Sequence, residues 1–415
     1  MKSWQKLVIG GASIALASSL LVACGSKEAS KTSDTSADKT LKLWVPTDSS
    51  KTYEPIVKAF EKESGYKVKM IESELAKAQE KVKKDPSSAA DVFSLPHDQL
   101  GQLVESGVIQ ELPEDHGKLV ADTATSQAVT AAQYKGKTYA YPFGIESQVT
   151  YYNKTKLDSE DVKSYETMTS KATFGAKFKQ VNAYVTAPLF MSVGDTLFGE
   201  TGEDPKGTNW GNEAGVSVLK WIAAQKDNKG FVNLDDNNVM SKFGDGSVAA
   251  FQSGPWDYET ASKAVGKENL GVAVYPTVNI GGRDVQQKAF LGVRLYAVNQ
   301  APANGDTDRI SQSYKLAAKL TDAEAQEKQF KNNNIIPSNK TVQESEAVKN
   351  NDLAQAVITM GSSADYTVVM PKLSQMTAFW TESAALLSDT YNGKIKEADY
   401  LSKLKQFDKD LADAK

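Results

Sequence analysis

Three acidic side chains follow apolar segments of the chain and are candidates for binding a polar ligand. Asp48 and Asp98 each come directly after a strand-like segment, and Glu146 lies between two more such segments. A carboxylate accepts two charge-assisted hydrogen bonds at once, so each of the three could hold adjacent hydroxyl groups. Capping the start of a helix explains the positions of Asp48 and Asp98 equally well.

Four aromatic side chains are candidates for covering the flat, C–H-bearing face of a ligand such as a sugar ring. Trp256 and Tyr258 occur in the turn sequence Gly-Pro-Trp-Asp-Tyr, Trp380 ends Met-Thr-Ala-Phe-Trp, and Tyr184 stands apart from both. A sugar site needs such faces together with fixed hydrogen-bonding groups. From spacing alone, aromatic residues are more often part of a hydrophobic core.

Several classes of chemistry lack support in the sequence. With His97 and His116 as its two histidines and one cysteine, the chain does not favour a metal site, and we expect no metal or cofactor. No Gly-x-Ser-x-Gly turn, Ser-His-Asp order or phosphate-binding glycine-rich loop occurs. A pair of carboxylates could make a secreted glycoside hydrolase acting on alpha-glucans, but 52 acidic residues always offer some pair.

The amino terminus has the pattern of an export signal. Lys2 and Lys6 precede the uncharged segment 7–23, and Cys24 follows Leu-Val-Ala, which resembles the lipobox of bacterial lipoproteins. We therefore expect a signal peptide at 1–23 and a diacylglycerol on Cys24; a permanent membrane helix and an unpaired thiol are the alternatives. The segment 24–40 has the composition of a flexible tether.

Charge and length bound the class of protein further. The chain carries 48 basic and 52 acidic residues over 415 positions, a formal net charge of -4. A mildly acidic chain without basic runs does not favour nucleic acid as a partner. Its length exceeds that of one ordinary domain, so two lobes are expected.

Strand-like and helix-like segments alternate along the body of the chain. The segments 41–45, 68–70 and 91–95 read as strands with helical patterns between them, which is typical of parallel α/β units. The fold class is therefore predicted as α/β, with hinge-linked doubly wound sheets in two lobes. We assign 41–145 plus 295–345 to the first lobe and 146–294 plus 346–415 to the second, with the chain crossing between lobes at 144–146.

Together these segments resemble the bacterial extracellular solute-binding proteins of the maltose/maltodextrin type across nearly the whole body. The resemblance rests on short motifs that recur in the same order: His97-Asp98, Tyr141-Pro142, Gly254-Pro255-Trp256, Met370-Pro371, and the segment 375–380.

The resemblance implies a function as well as a two-lobe periplasmic-binding-protein-like fold that closes on its ligand. It implies sugar contacts at a set of acids and rings: Asp48, Asp98, Glu146, Tyr184, Trp256, Tyr258 in place of a second tryptophan, and Trp380. It also implies a monomeric, non-enzymatic protein on the outer face of the cell membrane that delivers oligosaccharide to the permease of an ABC importer. A binding protein for a different oligosaccharide, a glycoside hydrolase and a passive adhesin remain alternatives.

Overall fold

The computed structural model describes residues 39–176, 183–234 and 236–414. The predicted signal peptide, Cys24 and most of the predicted tether lie outside the described residues. Within the described ranges, no helix is both long enough and apolar enough to cross a membrane.

Two separate sheets hold most of the strands. The strands are β1 (Thr40–Pro46), β2 (Lys67–Ser73), β3 (Val92–Pro96), β4 (Gln133–Tyr134), β5 (Lys137–Thr138), β6 (Tyr141–Ser147), β7 (Val149–Asn153), β8 (Phe174–Ala176), β9 (Phe231–Asn233), β10 (Ala250–Ser253), β11 (Leu270–Ala273), β12 (Thr277–Ile280), β13 (Arg283–Gln286), β14 (Ala289–Val298) and β15 (Thr367–Val369). The first sheet has the order β15-β14-β3-β1-β2, with β6 also paired to β14, and the second has the order β11-β7-β10-β8-β9.

Helices connect the strands. They are α1 (Ser50–Ser64), α2 (Ala78–Lys84), α3 (Leu100–Glu105), α4 (Glu114–Thr123), α5 (Ser126–Ala132), α6 (Tyr165–Lys171), α7 (Ala183–Thr186), α8 (Pro188–Ser192), α9 (Glu213–Ala224), α10 (Asp236–Gly244), α11 (Tyr258–Val265), α12 (Thr307–Leu320), α13 (Ala323–Asn333), α14 (Lys340–Gln343), α15 (Glu346–Lys349), α16 (Asp352–Met360), α17 (Met376–Tyr391) and α18 (Tyr400–Asp413).

Strand β1 shows why the first sheet forms where the sequence predicts it. Leu41, Leu43 and Val45 alternate with less buried residues and are themselves fully buried. The strand pairs in parallel with β2 on one side and β3 on the other. Parallel neighbours require crossover connections, which α1 and α2 supply. The predicted parallel α/β units are confirmed here.

The hydrophobic residues form two cores. One surrounds the first sheet and extends onto β7 and β10. The other lies around α8, α9, α17 and α18, where the fully buried Trp210 stacks on Phe190 at a ring-centroid distance of 3.9 Å and on Phe407 at 5.0 Å. Two cores in one body match the predicted two-lobe α/β fold, while the predicted lobe boundaries stay a prediction.

The prediction that 144–146 forms a connection is wrong. Gly144 and Glu146 lie inside β6, opposite Arg294 and Gly292 of β14. Strand β6 ends at Ser147 and β7 begins at Val149, so the chain passes from one sheet to the other at Gln148. The chain returns to the first sheet at β14, and after β15 it continues into α17 and α18, which pack in the second core.

Candidate ligand-binding site

Asp98 provides a buried acceptor atom that no other described residue uses. It lies in the 3-10 turn His97–Gln99 directly after β3. Its Oδ1 atom is buried and has no hydrogen-bond partner among the described residues. Burial raises the pKa of Asp98 from 3.8 to about 6, and the charge of Glu146 adds to the rise. A buried acceptor without a donor costs free energy, so this oxygen is prepared for a donor that arrives with a ligand.

The neighbouring His97 fixes the turn that carries Asp98. The backbone N–H of Val293 donates to its Nδ1 at 3.0 Å, and its Nε2–H donates to the carbonyl of Met370 at 3.0 Å. Both bonds require a neutral ring, and burial lowers the pKa of His97 to about 3. His97 therefore joins the turn after β3 to β14 and to the segment that leads into α17.

Glu146 forms an ion pair at the same end of the first sheet. Arg294 Nε donates to Glu146 Oε1 at 2.6 Å, and Arg294 Nη2 contacts the same oxygen. The side chains of Arg294 and Glu146 are 29% and 27% exposed, so the pair is reachable from solvent but partly shielded from it. Ion pairs in such half-buried positions are stronger than exposed pairs and hold a fixed geometry.

An aromatic cluster lies next to these acids. The ring of Tyr184 in α7 stacks on Phe290 of β14 at 5.6 Å and lies 6.3 Å from Trp380 of α17. Trp380 meets Phe290 edge-on at 5.7 Å. Burial raises the pKa of Tyr184, and the charges of Glu146 and Asp98 raise it further. Phe290, which both rings contact, lies on β14, the strand that pairs with β6 at Glu146 and with β3 just before Asp98. The structure thus brings together Asp98, Glu146, Tyr184 and Trp380.

Trp256 presents the most exposed large hydrophobic side chain of the described residues. Its side chain lies in the 3-10 turn Pro255–Asp257 after β10 and is 54% exposed. The indole lies across Gly254, where an added Cβ would come within 2.2 Å of the ring. The hydroxyl of Tyr151 donates to the Gly254 carbonyl at 2.9 Å and holds the turn in place. Trp256 is therefore not a core residue, and its flat face is accessible.

Tyr258 and Asp48 occupy different settings. Tyr258 begins α11, packs partly against the first core and lies 6.5 Å from the ring of Tyr151. Asp48 is exposed, has a left-handed backbone (φ 62°), and its carbonyl accepts a hydrogen bond from Asn333 Nδ2 at 2.9 Å. Asp48 follows β1 and Asp98 follows β3, so the two lie at the same edge of the sheet.

The capping explanation for these two acids is wrong. The residue at the N-cap of α1 is Ser49, and the residue at the N-cap of the turn that holds Asp98 is Pro96. Ligands of open α/β sheets bind outside the carboxyl ends of the strands, which is where Asp48, Asp98 and Trp256 lie.

The fold is that of a two-lobed α/β binding protein. Its candidate site has acids at the end of the first sheet and an exposed tryptophan after a strand of the second. Residues 55–356 match the family model of the bacterial extracellular solute-binding proteins, and the chain belongs to this family.

Individual relatives agree with this assignment. The chain is 32% identical to the maltooligosaccharide ABC transporter solute-binding lipoprotein of Streptococcus pneumoniae, over 92% of this chain and 91% of the relative. It is 27% identical to the galactooligosaccharide-binding protein of Bacillus subtilis, over 90% of each chain. Among solved structures, the maltodextrin binding protein MalE1 from L. casei BL23 without ligand is 38% identical, with a TM-score of 0.86 over 90% of this chain and 99% of that chain.

Sequence reasoning missed three residues that shape the site. Phe290 reads as a core residue of a long apolar strand, and His97 carries no signal beyond its place beside Asp98. Arg294 is the one charged residue in that strand, which was a signal that sequence reasoning did not use. Arg294 meets a partner 148 positions away and His97 one 273 positions away, so local patterns do not reveal either contact.

Proposed function

We propose that this protein captures oligosaccharides of the maltodextrin type outside the cell and delivers them to the permease of an ABC importer. The observation that carries the proposal is the buried Oδ1 of Asp98, which has no hydrogen-bond partner in the part of the chain that the structure describes and lies near Glu146 and the rings of Tyr184 and Trp380. A neutral carbohydrate offers hydroxyls to the acids and C–H faces to the rings, and the relatives named above bind oligosaccharides of this kind.

The proposed sugar contacts are three acids, two tyrosines and two tryptophans: Asp48, Asp98, Glu146, Tyr184, Tyr258, Trp256 and Trp380. The acids lie at the end of the first sheet, and Trp256 and Tyr258 follow a strand of the second. A ligand that contacts both groups favours the arrangement in which they face each other, because that arrangement alone satisfies all contacts. Capture then needs no bond-breaking step, and we expect no turnover.

We also propose where the protein acts. Cys24 would carry the lipid, the mature chain would begin there, and the tether would hold a monomeric body at the outer face of the membrane. Lipidation with two or more acyl chains is required for stable anchoring. Labelling of cells with a fatty-acid probe should mark the wild type and not Cys24→Ala, which should instead appear in the medium.

A different oligosaccharide is the second candidate ligand, favoured by the similarity to a galactooligosaccharide-binding protein. The two ligands share the acid-and-ring chemistry and differ in hydroxyl configuration.

Thermal-shift and calorimetric titration with maltose to maltoheptaose and with galacto-oligosaccharides test the proposal. Ligand binding to the folded state should raise the melting temperature by mass action. Chromatography of the incubated sugars should show no products. The absence of a shift with every glucan would overturn the maltodextrin proposal, and products that accumulate with time would make the protein a hydrolase.

A further inference from the structure

Arginine is rare in this chain, and two of its three arginines form ion pairs with partly or fully buried acids. Of 48 basic residues, three are arginines: Arg283, Arg294 and Arg309. Arg283 is exposed in β13. Arg309 makes a two-pronged pair with the fully buried Asp91, from Nε to Oδ1 at 2.7 Å and from Nη2 to Oδ2 at 2.9 Å. The planar guanidinium of arginine donates several hydrogen bonds in fixed directions, which the ammonium group of lysine cannot do.

Arg294 pairs with its acid in a different way. Its Nε and Nη2 both meet the same oxygen, Oε1 of Glu146. The second oxygen, Oε2, lies above Gly292, 3.7 Å from where a Cβ of that residue would be. Among the described residues, neither Glu146 Oε2 nor Arg294 Nη1 has a hydrogen-bond partner. The pair therefore leaves one acceptor and one donor open, whereas the Arg309 pair uses both carboxylate oxygens.

The strand that carries Arg294 is shaped around this position. Arg294 lies opposite Pro96 of β3 on one side and Gly144 of β6 on the other. The pairing register with β6 shifts between Arg294 and Leu295. Such irregularities re-aim a side chain at the edge of a site. Because Asp98 lies two residues beyond Pro96, the same strand end presents Asp98, Glu146 and Arg294 together.

We propose that Arg294 is a specificity-determining contact for the sugar: its Nη1 donates to one hydroxyl while Glu146 Oε2 accepts from the adjacent hydroxyl of the same ring. This inference rests on the proposed function. A single hydroxyl can accept from Arg294 or donate to Glu146. Two neighbouring hydroxyls of one ring can bond to both groups at once only when their stereochemistry directs them to the fixed positions of this donor and this acceptor. Sites built on hydrogen bonds reject a ligand whose hydroxyl is displaced, since their own polar groups are then left unpaired.

Lysine would not replace arginine here. An ammonium group could neutralise Glu146, but it is a point charge without the planar fork that serves two partners in one plane. The pair would persist and the second contact would be lost.

Calorimetric titration with maltotriose of wild type, Arg294→Lys, Arg294→Met, Glu146→Gln and the double variant tests the inference. We expect the Kd to rise about tenfold for Arg294→Lys and about a hundredfold for Arg294→Met. The ratio between the Kd values for galacto- and gluco-trisaccharides should shrink in both. Arg309→Lys is the matched control, because it weakens a buried pair away from the site and should lower the melting temperature while the Kd stays unchanged.

The double variant, Arg294→Met with Glu146→Gln, distinguishes direct contact of Arg294 with the sugar from positioning of Glu146 by Arg294. If Arg294 acts only by holding Glu146, then Arg294→Met should add no further loss in the Glu146→Gln background; that result would overturn direct contact. If Arg294→Lys and Arg294→Met both bind with the wild-type Kd, the inference fails and the proposed function stands. A wild type that binds no oligosaccharide overturns both. Arg294→Lys keeps the charge, so the test remains usable if the methionine variant does not fold.

Discussion

The acidic side and the aromatic side of the candidate site are built in different ways. On the acidic side, His97 and Arg294 hold the groups near Asp98 and Glu146 through directed hydrogen bonds that join separate elements. On the aromatic side, Trp256 lies over a glycine with more than half of its side chain exposed. A hydrogen bond requires a fixed direction, while a stacked ring tolerates sliding. The turn that carries Asp98 and the side chain of Glu146 are accordingly held by directed hydrogen bonds, whereas Trp256 is largely exposed.

The comparison predicts that loss of His97 should damage the fold as well as the site. In His97→Ala, the buried Val293 N–H and the partly buried Met370 carbonyl lose their partner. Each orphaned group costs about 1 to 3 kcal/mol, so the free energy of unfolding should fall by about 3 kcal/mol in urea denaturation. His116→Ala, which removes one half-buried contact to Tyr141, is the control and should cost less. Equal losses would mean that His97 has no special role.

Loss of Trp256 should weaken sugar binding and leave the stability of the fold nearly unchanged. Because the indole is largely exposed, Trp256→Ala should leave the melting temperature of the ligand-free protein nearly unchanged. The Kd for maltotriose should rise about a hundredfold, since a stacked aromatic dominates binding in such sites. Leu401→Ala, at another exposed hydrophobic residue, should change neither quantity. Normal binding by the Trp256 variant would remove it from the site.

Asp98 should oppose stability while it serves binding. The raised pKa of Asp98 means that the folded protein disfavours the charged carboxylate. The protonated side chain therefore contributes fully to the free energy of unfolding below pH 3.8, its unfolded pKa, and this contribution is lost as the pH rises through about 6. At pH 7.5, Asp98→Asn should stabilise the ligand-free protein by on the order of 2 kcal/mol and weaken sugar binding. The stability gain should vanish near pH 4. A destabilised variant at pH 7.5 would contradict this.

Asp195 offers a control for that experiment. It is buried, its Oδ1 accepts a hydrogen bond from Asn212 Nδ2 at 2.7 Å, and burial raises its pKa to about 6 as well. Asp195→Asn should show the same pH signature in denaturation with an unchanged Kd.

The smallest effect concerns the pH dependence of affinity in the wild type. If sugar hydroxyls donate to ionised Asp98, protonation competes with binding, and the Kd should rise by up to about tenfold between pH 7 and pH 5. His97, with a pKa of about 3, does not titrate in this range. Calorimetry at several pH values measures the slope; tighter binding at pH 5 would mean that the sugar accepts from a protonated Asp98 instead.

The sequence predicted the elements whose patterns are local. The strands predicted at 41–45 and 91–95 are found as β1 and β3. The hairpin β12–β13 and the three-residue β15 were not predicted, because such short strands lack a clear period. The segment 144–146 was predicted to be the crossover between the lobes. An added Cβ at Gly144 would lie 2.5 Å from Ile335, so the glycine serves close packing inside a strand.

In the candidate site, too, local features were predicted and long-range contacts were missed. Asp98 and Glu146 were predicted from their places next to strands, and the structure brings them together. Their partners His97 and Arg294 act over long separations, and whether a carboxylate is buried or paired depends on residues that sequence patterns do not connect. The sugar contacts themselves remain predictions that the variants above test.

The position of β1 has a mechanical consequence. The described fold begins one residue before this strand, and β1 lies between β2 and β3 in the interior of the first sheet. Force applied to the amino terminus would load two parallel ladders of hydrogen bonds in shear, all at once, where an edge strand would peel away bond by bond. If the protein is anchored through Cys24 as proposed, its first sheet should therefore resist a pull on the amino terminus without unfolding.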